Sequence, residues 1–401
     1  MRVLKWVSLG LGVIVTLALI GVLVIVWLVD PNRFKSNIEA AVRDATGREF
    51  ALVGDIDLGF FPWLALRTGE GKFGNASGFG PEPMVSWKRA QLGAKLLPLL
   101  RGRLVADRVI LEGADLRLKR RADGTANWQG IGSQDPAPAQ ADEKPMELRI
   151  DGITIKDSRF SFVDEVVPRR VEITGLGLTT DGIAPGEPFT DTKVSGVLHM
   201  DGFAAEGVPF SVEVPKAVVP LDGGPLDVSD FSVGFGAFEA EGKVQGRLGE
   251  QPKLQGEIES NNFDARALLA SAGVTVPKTT DPAALGKLQF AASWKFDGGA
   301  IAVEPFKLTL DDTHFTGSFR RGAGDAPVGE FALRGDAIDL ARYIPPTDPN
   351  SEPFVLPTAD LKALKFAGVI EFEQASLDDI AMKGVILRLL LDEQGLRQAT
   401  P

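Results

Sequence analysis

The chain has 401 residues, with 54 acidic against 43 basic side chains and a formal net charge of -11. So acidic a chain does not neutralise phosphates, which excludes nucleic acid as a partner, and the absence of cysteine excludes a disulfide framework, a thiolate nucleophile and a thiolate metal site. The only two histidines, His199 and His314, are not spaced as a metal pair and read as strand-surface residues, so neither a metal nor a cofactor is expected.

The first element is an apolar run from Val7 to Val29. As a helix its roughly 23 residues rise about 34 Å, which matches a hydrocarbon core of about 30 Å. A cleaved signal peptide is the competing reading, but the run is too long and leaves through Trp27, Leu28, Val29 and Asp30 without a small-residue cleavage site. A retained membrane anchor is therefore expected. Trp6 and Trp27 stand at its two ends, where indoles favour the interface, while the flanking basic residues Arg2, Lys5, Arg33 and Lys35 do not settle orientation.

Next, Asp30 can cap a helix that begins at Pro31, and Gly47 supplies its stop. Phe34, Ile38, Ala41, Val42 and Ala45 recur at helical spacing between them. The modest apolar face predicts a plug packed on the first strands rather than an interfacial helix. From Glu49 onward short alternating runs punctuated by Gly, Pro, Asn and Asp predict strands, as in Arg108–Leu111 leading through Glu112, Gly113 and Ala114 into Asp115–Lys119. Exceptions are a turn at 95–100 and short helices at 265–272 and 361–364.

Two polar stretches interrupt the strands. Residues 132–145 carry Pro136, Pro138 and Pro145 among Ala, Gln, Asp and Glu, and residues 345–357 carry prolines at 345, 346, 349, 353 and 357. The resulting division is an anchor (1–29), a helix with the first β region (30–131), a linker or loop (132–146), a repeat-built β-groove (147–344), a Pro-rich linker (345–357) and the start of a further β repeat (358–401).

Laying Phe231 on Phe306 reveals a repeat with a period of about 75 residues. Gly242 falls on Gly317, Val244 on Phe319, Ile258 on Leu333, and Phe263–Asp264 on Ile338–Asp339. Within each copy the side chains alternate between two faces, since successive strand residues point to opposite sides. Phe238, Ala240, Gly242, Val244, Gly246 and Leu248 share one face, while Glu239, Glu241, Lys243, Gln245 and Arg247 share the other. The apolar face predicts either a filled β-sandwich or a trough that holds hydrocarbon. Glycines 242, 246, 256 and 317 on that face tilt the choice toward the trough, because a filled core prefers bulk. Candidate lining residues are Val233, Phe235, Phe238, Val244, Leu254, Ile258, Phe306, Leu308, Leu310, Phe315, Phe319, Phe331 and Leu333.

Catalytic patterns are missing: there is no phosphate-binding glycine loop, no G-x-S-x-G elbow and no His–carboxylate cluster. The pairs Asp311–Asp312 and Asp378–Asp379 suit turns better than an acid–base dyad, because neighbours on a strand point apart. No enzymatic activity and no catalytic residue are expected.

Several segments in order carry a resemblance over essentially the whole chain. They are DPNRFKSNIEAAVRDATGREF (30–50), FPW (61–63), NASGFG (75–80), KLLPLLRGRLVADRVILEGADLRLKRRADGTANW (95–128), FSFVDE (160–165), TLDDTHFTGSF (309–319) and DLARYIPP (339–346). In these the chain resembles the AsmA family of bacterial inner-membrane proteins, related to the eukaryotic bridge-like lipid transfer proteins. The resemblance implies a mainly β fold: a transmembrane helix, a short amphipathic helix, then an elongated, curled antiparallel sheet built from repeats. It also implies a single-pass inner-membrane protein with its bulk in the periplasm, phospholipids and other envelope proteins as partners, and passive phospholipid transport toward the outer membrane. A tethered scaffold or regulator for outer-membrane protein assembly is the alternative. Phe34, Ile38, Phe61 and Trp63, close to the anchor, are the candidate doorway residues. Related chains continue past LLLDEQGL (389–396), so 358–401 reads as a short or truncated last repeat.

Overall fold

A computed structural model of the chain describes residues 30–59, 64–94, 105–131, 149–183, 188–219, 224–276, 278–324, 329–346, 366–392 and 395–398. The chain divides into two compact units, Met1–Pro168 and Arg169–Pro401. Among the described residues strands dominate, and no helix is long and apolar enough to cross a membrane. The expected span Val7–Val29, Phe61 and Trp63, the turn at 95–100 and the helix at 361–364 lie outside those residues.

Unit 1 begins with a 3-10 turn, Pro31–Phe34, whose cap is Asp30: its Oδ1 accepts the Asn32 amide at 3.0 Å. Helix α1, Lys35–Thr46, follows and ends at Gly47, whose φ of +68° is the left-handed stop that glycine adopts without a steric penalty. It packs on the first strands as expected, but not by its apolar stripe. Lys35, Glu39, Val42 and Thr46 face the body, whereas Phe34, Ile38, Ala41 and Ala45 are exposed. Polar contacts decide the orientation, because Glu39 Oε1 accepts the Leu52 amide at 2.9 Å and Asn32 exchanges two hydrogen bonds with the Ile56 backbone. Arg48, just beyond the helix, is buried and donates to the carbonyls of Asn127 and Gln129, with burial lowering its pKa.

Among the described residues nine strands follow in unit 1: β1 (Phe50–Leu52), β2 (Ile56–Gly59), β3 (Leu64–Thr68), β4 (Gly71–Phe73), β5 (Val85–Trp87), β6 (Arg89–Ala94), β7 (Val105–Glu112), β8 (Asp115–Arg120) and β9 (Arg149–Asp164). Two ladders, β2-β3-β6-β7 and β1-β4-β5-β8, meet on β9, which takes β7 along its first half and β8 along its second. Strands β7 and β8 thus act as one bent strand parallel to β9. The bends coincide: Gly113 (φ +62°) and Asp157 (φ +46°) are 44 residues apart, the same offset as Val105 to Arg149. At the far end Arg120 Nε donates to Asp164 Oδ1 at 3.0 Å, and the guanidinium holds this buried carboxyl down at about 2.

Unit 2 runs neighbour to neighbour, antiparallel, through β10 (Arg169–Ile183), β11 (Phe189–Met200), β12 (Val208–Val218), β13 (Gly224–Phe235), β14 (Phe238–Leu248), β15 (Lys253–Ser260), β16 (Leu288–Asp297), β17 (Ala300–Leu310), β18 (Thr313–Arg321) and β19 (Gly329–Asp339). Helix α2, Ala265–Ser271, interrupts the run after β15. Strand β20 (Phe366–Leu377) then adds parallel to β19, and β21 (Ile380–Asp392) and β22 (Gly395–Gln398) return antiparallel. The result is an open sheet.

The expectation of a wholly antiparallel sheet therefore needs correction at three pairings, β7–β9, β8–β9 and β19–β20. Parallel neighbours need a crossover of a dozen or more residues. The two polar, proline-bearing stretches of the sequence fall in those connections, between Arg120 and Arg149 and between Asp339 and Phe366.

The 75-residue repeat matches the element boundaries. Strands β13 and β14 map onto β17 and β18, and the closing residues Asp264 and Asp339 each cap a short helical turn, accepting the amides of Ala267 at 2.9 Å and Ala341 at 3.1 Å. Asp311–Asp312 and Asp378–Asp379 are the hairpin turns after β17 and β20. Asp311 accepts from the amides of Leu285 and Lys287 and from the Tyr343 hydroxyl, so its carboxylate is committed to the fold.

Candidate functional site

The register of unit 2 brings all thirteen candidate lining residues to one face. Directly opposed residues point the same way, and one row runs Phe231, Gly242, Ile258, Ala292, Phe306, Gly317, Leu333, Ile370. The row beside it runs Val228, Val244, Gly256, Trp294, Val303, Phe319, Phe331, Gly368. Twelve of the thirteen candidates are half-buried and only Phe315 is buried, with its ring edge-on to Phe372 at 5.8 Å. An inner sandwich face would be buried throughout at the density of a core. Here the largest fully buried side chains among the described residues are Val208, Asn127 and Asp164. The filled sandwich is not what these strands build.

The glycines on this face are not openings, which corrects the weight placed on them from sequence. At Gly242, Gly256, Gly317 and Gly368 the space is taken by a carbonyl oxygen of a neighbouring strand and by a large side chain of a neighbouring strand, and at Gly246 mainly by neighbouring backbone. A Cβ at Gly242 would lie 2.6 Å from Phe231, one at Gly256 2.7 Å from Trp294, one at Gly317 2.7 Å from Leu333, and one at Gly368 2.7 Å from Phe331. At Gly335 it would meet both Phe372 and Phe315, and at Gly329 both Phe366 and Phe319. Removing the side chain at one position lets a neighbouring ring lie flat on the backbone, the device by which aromatics rescue glycine in sheets. The result is an apolar pavement.

Trp294, Phe290, Phe296, Phe366 and Phe372 belong to the same pavement but are not among the sequence candidates. In β16 the alternation Leu288, Phe290, Ala292, Trp294, Phe296 is present, but Ala291 on the opposite face blurs it. Phe366 and Phe372 lie after the Pro-rich stretch, where β20 starts without a turn signal.

The opposite face is charged. Directly opposed strand residues form ion pairs, Lys243 with Glu257 at 2.9 Å, Lys253 with Asp297 at 3.0 Å and Lys193 with Glu213 at 2.9 Å. All are exposed pairs screened by solvent, so they set register and solubility more than stability. A hollow of about 900 Å³ opens on this face, lined by Glu213, Asp230, Glu239, Glu241, Glu257 and Glu259 with Lys243 and Lys307. Its charged lining lies on the side away from the predicted apolar lining, and Ile258, one of the candidates, borders the hollow as well. Among the described residues no group of three or more His, Asp or Glu is placed to hold a metal.

Of the doorway candidates, Phe34 and Ile38 stand exposed on the first helical segment of unit 1.

The comparisons with known proteins agree with one another. The model of the AsmA family matches residues 1–210. "AsmA family protein YhjG" of Escherichia coli (strain K12) is 25% identical over 239 residues, covering 49% of this chain and 34% of that protein. "Protein AsmA" of the same organism is 25% identical over 339 residues, covering 84% of this chain and 47% of that protein. The chain therefore spans less than half the length of either relative. No solved structure matches it.

Proposed function

The chain belongs to the AsmA family, and from that premise we propose that it carries phospholipid passively along the apolar face of unit 2. In this reading Val7–Val29 anchors it in the bacterial inner membrane, the bulk lies in the periplasm, and lipid moves toward the outer membrane. The pavement serves as the floor of a trough. No covalent step is involved, and no cofactor is needed.

The observation that carries the reading is an apolar face left half-exposed over ten successive strands, β11 to β20, in a sheet whose other face is charged. Exposed apolar patches of that extent mark binding surfaces. A two-chain lipid has roughly thirty methylenes at about 0.8 kcal/mol each, so crossing water unshielded costs on the order of 20 kcal/mol. A continuous apolar floor removes most of that barrier without a chemical energy source.

The charged hollow is the observation that favours the alternative, a tethered scaffold for outer-membrane protein assembly, since it offers carboxylates to a basic protein segment. Photocrosslinking separates the two. A photoreactive residue at Leu254 or Leu308 captures lipid under the transport reading. Capture of protein from Glu241 or Glu257, with no lipid captured from the apolar positions, overturns it.

A further inference from the structure

Helix α1 leaves its hydrophobic stripe uncovered. Phe34, Ile38, Ala41 and Ala45 recur every three or four residues and so line one side of the helix, and all four are exposed, Phe34 at 51% and Ile38 at 36%. This is not a helix awaiting a body to pack on. Its inner side is already tied down by the Glu39 bond to Leu52, the two bonds between Asn32 and Ile56, and the Lys35–Asp55 ion pair at 3.6 Å. The orientation is fixed, with the apolar stripe exposed along one flank of the docked helix.

The position in the chain selects what covers it. Phe34 follows the last residue of the Val7–Val29 run by five positions, and Pro31–Phe34 is a 3-10 turn that advances only about 2 Å per residue. That keeps Phe34 within roughly 10 Å of the end of the apolar run, close to the outer edge of the polar layer, which extends about 5–8 Å beyond the hydrocarbon core on each side. A helix of 12 residues is about 18 Å long and can lie along that layer. Ser36 and Arg43, on the opposite side, are exposed as well and would face water.

We propose that α1 is an interfacial helix, with Phe34, Ile38, Ala41 and Ala45 seated among the lipid headgroups and upper acyl chains beside the anchor. The proposal rests on reading Val7–Val29 as a membrane span. It makes the docked helix a rigid strut that sets the height and tilt of unit 1 on the bilayer.

The chain has no cysteine, so single labels are unambiguous. The full chain carrying Phe34→Cys, Ile38→Cys, Ser36→Cys or Arg43→Cys, labelled with a polarity-sensitive fluorophore, is reconstituted into phosphatidylcholine–phosphatidylglycerol vesicles. Some of these vesicles also carry a lipid with a quencher near the headgroup. The expected result is a blue-shifted emission at 34 and 38 that the quencher lipid largely abolishes, with little change at 36 and 43. Vesicle flotation in the same samples reports the anchor separately. A chain that floats while positions 34 and 38 are quenched no more than 36 and 43 overturns the proposal and leaves the anchor standing. A chain that does not float removes both. Disulfide crosslinking between copies through Phe34→Cys or Ile38→Cys, in place of quenching, also overturns it, because the cover is then protein.

Discussion

Replacing Val244 by Asp tests the transport reading at the point where the structure tolerates it best. Val244 is flanked by Gly242 and Gly246 on its own strand and by Gly256 on the next, and it is half-buried. Valine and aspartate are close in size, so the change puts a charge into the pavement without overfilling it, and a loss of about 1–2 kcal/mol in folding stability is expected. The effect on lipid passage is larger. Strands lie about 4.8 Å apart, a distance spanned by roughly four methylenes of an extended acyl chain. A hydrated carboxylate keeps those methylenes from dry contact, which removes about 3 kcal/mol for one chain and slows passage about a hundredfold. The assay is transfer of a fluorescent phospholipid from donor vesicles carrying the full chain to acceptor vesicles, with Val244→Ala as the uncharged control. A Val244→Asp protein that unfolds in urea close to wild type and transfers lipid at the wild-type rate refutes the reasoning.

The pavement, the buried cluster within it and the unit 1 ion pair each give a further test. Gly256→Ala places a methyl 2.5 Å from the Lys243 carbonyl oxygen and 2.7 Å from the Trp294 ring; it should cost about 1–3 kcal/mol by overpacking, and an unchanged urea midpoint counts against the roofed glycine. Phe315→Ala empties the centre of the cluster with Phe372 and Ala375; a loss of about 3 kcal/mol is expected, and less than about 1 would mean that the cluster carries little of unit 2. Asp164 is held at about 2 by Arg120, below an unfolded value of about 3.9, so its contribution is present above pH 4 and is lost as pH falls toward 2. The stability gap between wild type and Asp164→Asn should therefore close between pH 4 and 2, and a gap as wide at pH 2 as at pH 7 is inconsistent with that linkage.

Local rules were readable where a single residue type enforces a backbone state. Asp30 and Gly47 mark the first helical segment because a carboxylate satisfies an orphan amide and glycine alone takes φ of +68° at no steric cost. The two-residue period of β14 and β15 survives in the burial of every residue, because one face has no reason to carry charge. Parallel pairing was not readable. Nothing in Val105–Glu112 or Gly329–Asp339 differs from an antiparallel strand, since direction is set by connections whose path the local sequence does not encode. That α1 packs on the first strands was readable, but the side by which it docks was not, for a related reason. A hydrophobic stripe predicts which side seeks apolar cover, but here Glu39 and Asn32 found backbone partners first, and the stripe was turned outward.

Glycine is where sequence and structure part furthest, and the reason bears on the site itself. Read along one strand, Gly242, Gly256 and Gly317 look like vacancies in an apolar face. Read across the sheet, each lies opposite or beside a large residue, Phe231, Trp294 and Leu333 respectively, and a Cβ would meet that side chain and, closer still, a carbonyl oxygen of the neighbouring strand. The information is pairwise between strands, so no one-dimensional pattern contains it. Its consequence is a floor with low relief rather than a row of slots. A slot recognises a ligand by shape, whereas a flat apolar floor offers the same contact wherever a chain lies on it. Such a surface favours movement over capture, because a lipid advancing by one strand exchanges contacts of equal kind. A pavement laid by glycine and aromatic pairs is in this sense better suited to conduct hydrocarbon than the open cavity the glycines alone had suggested.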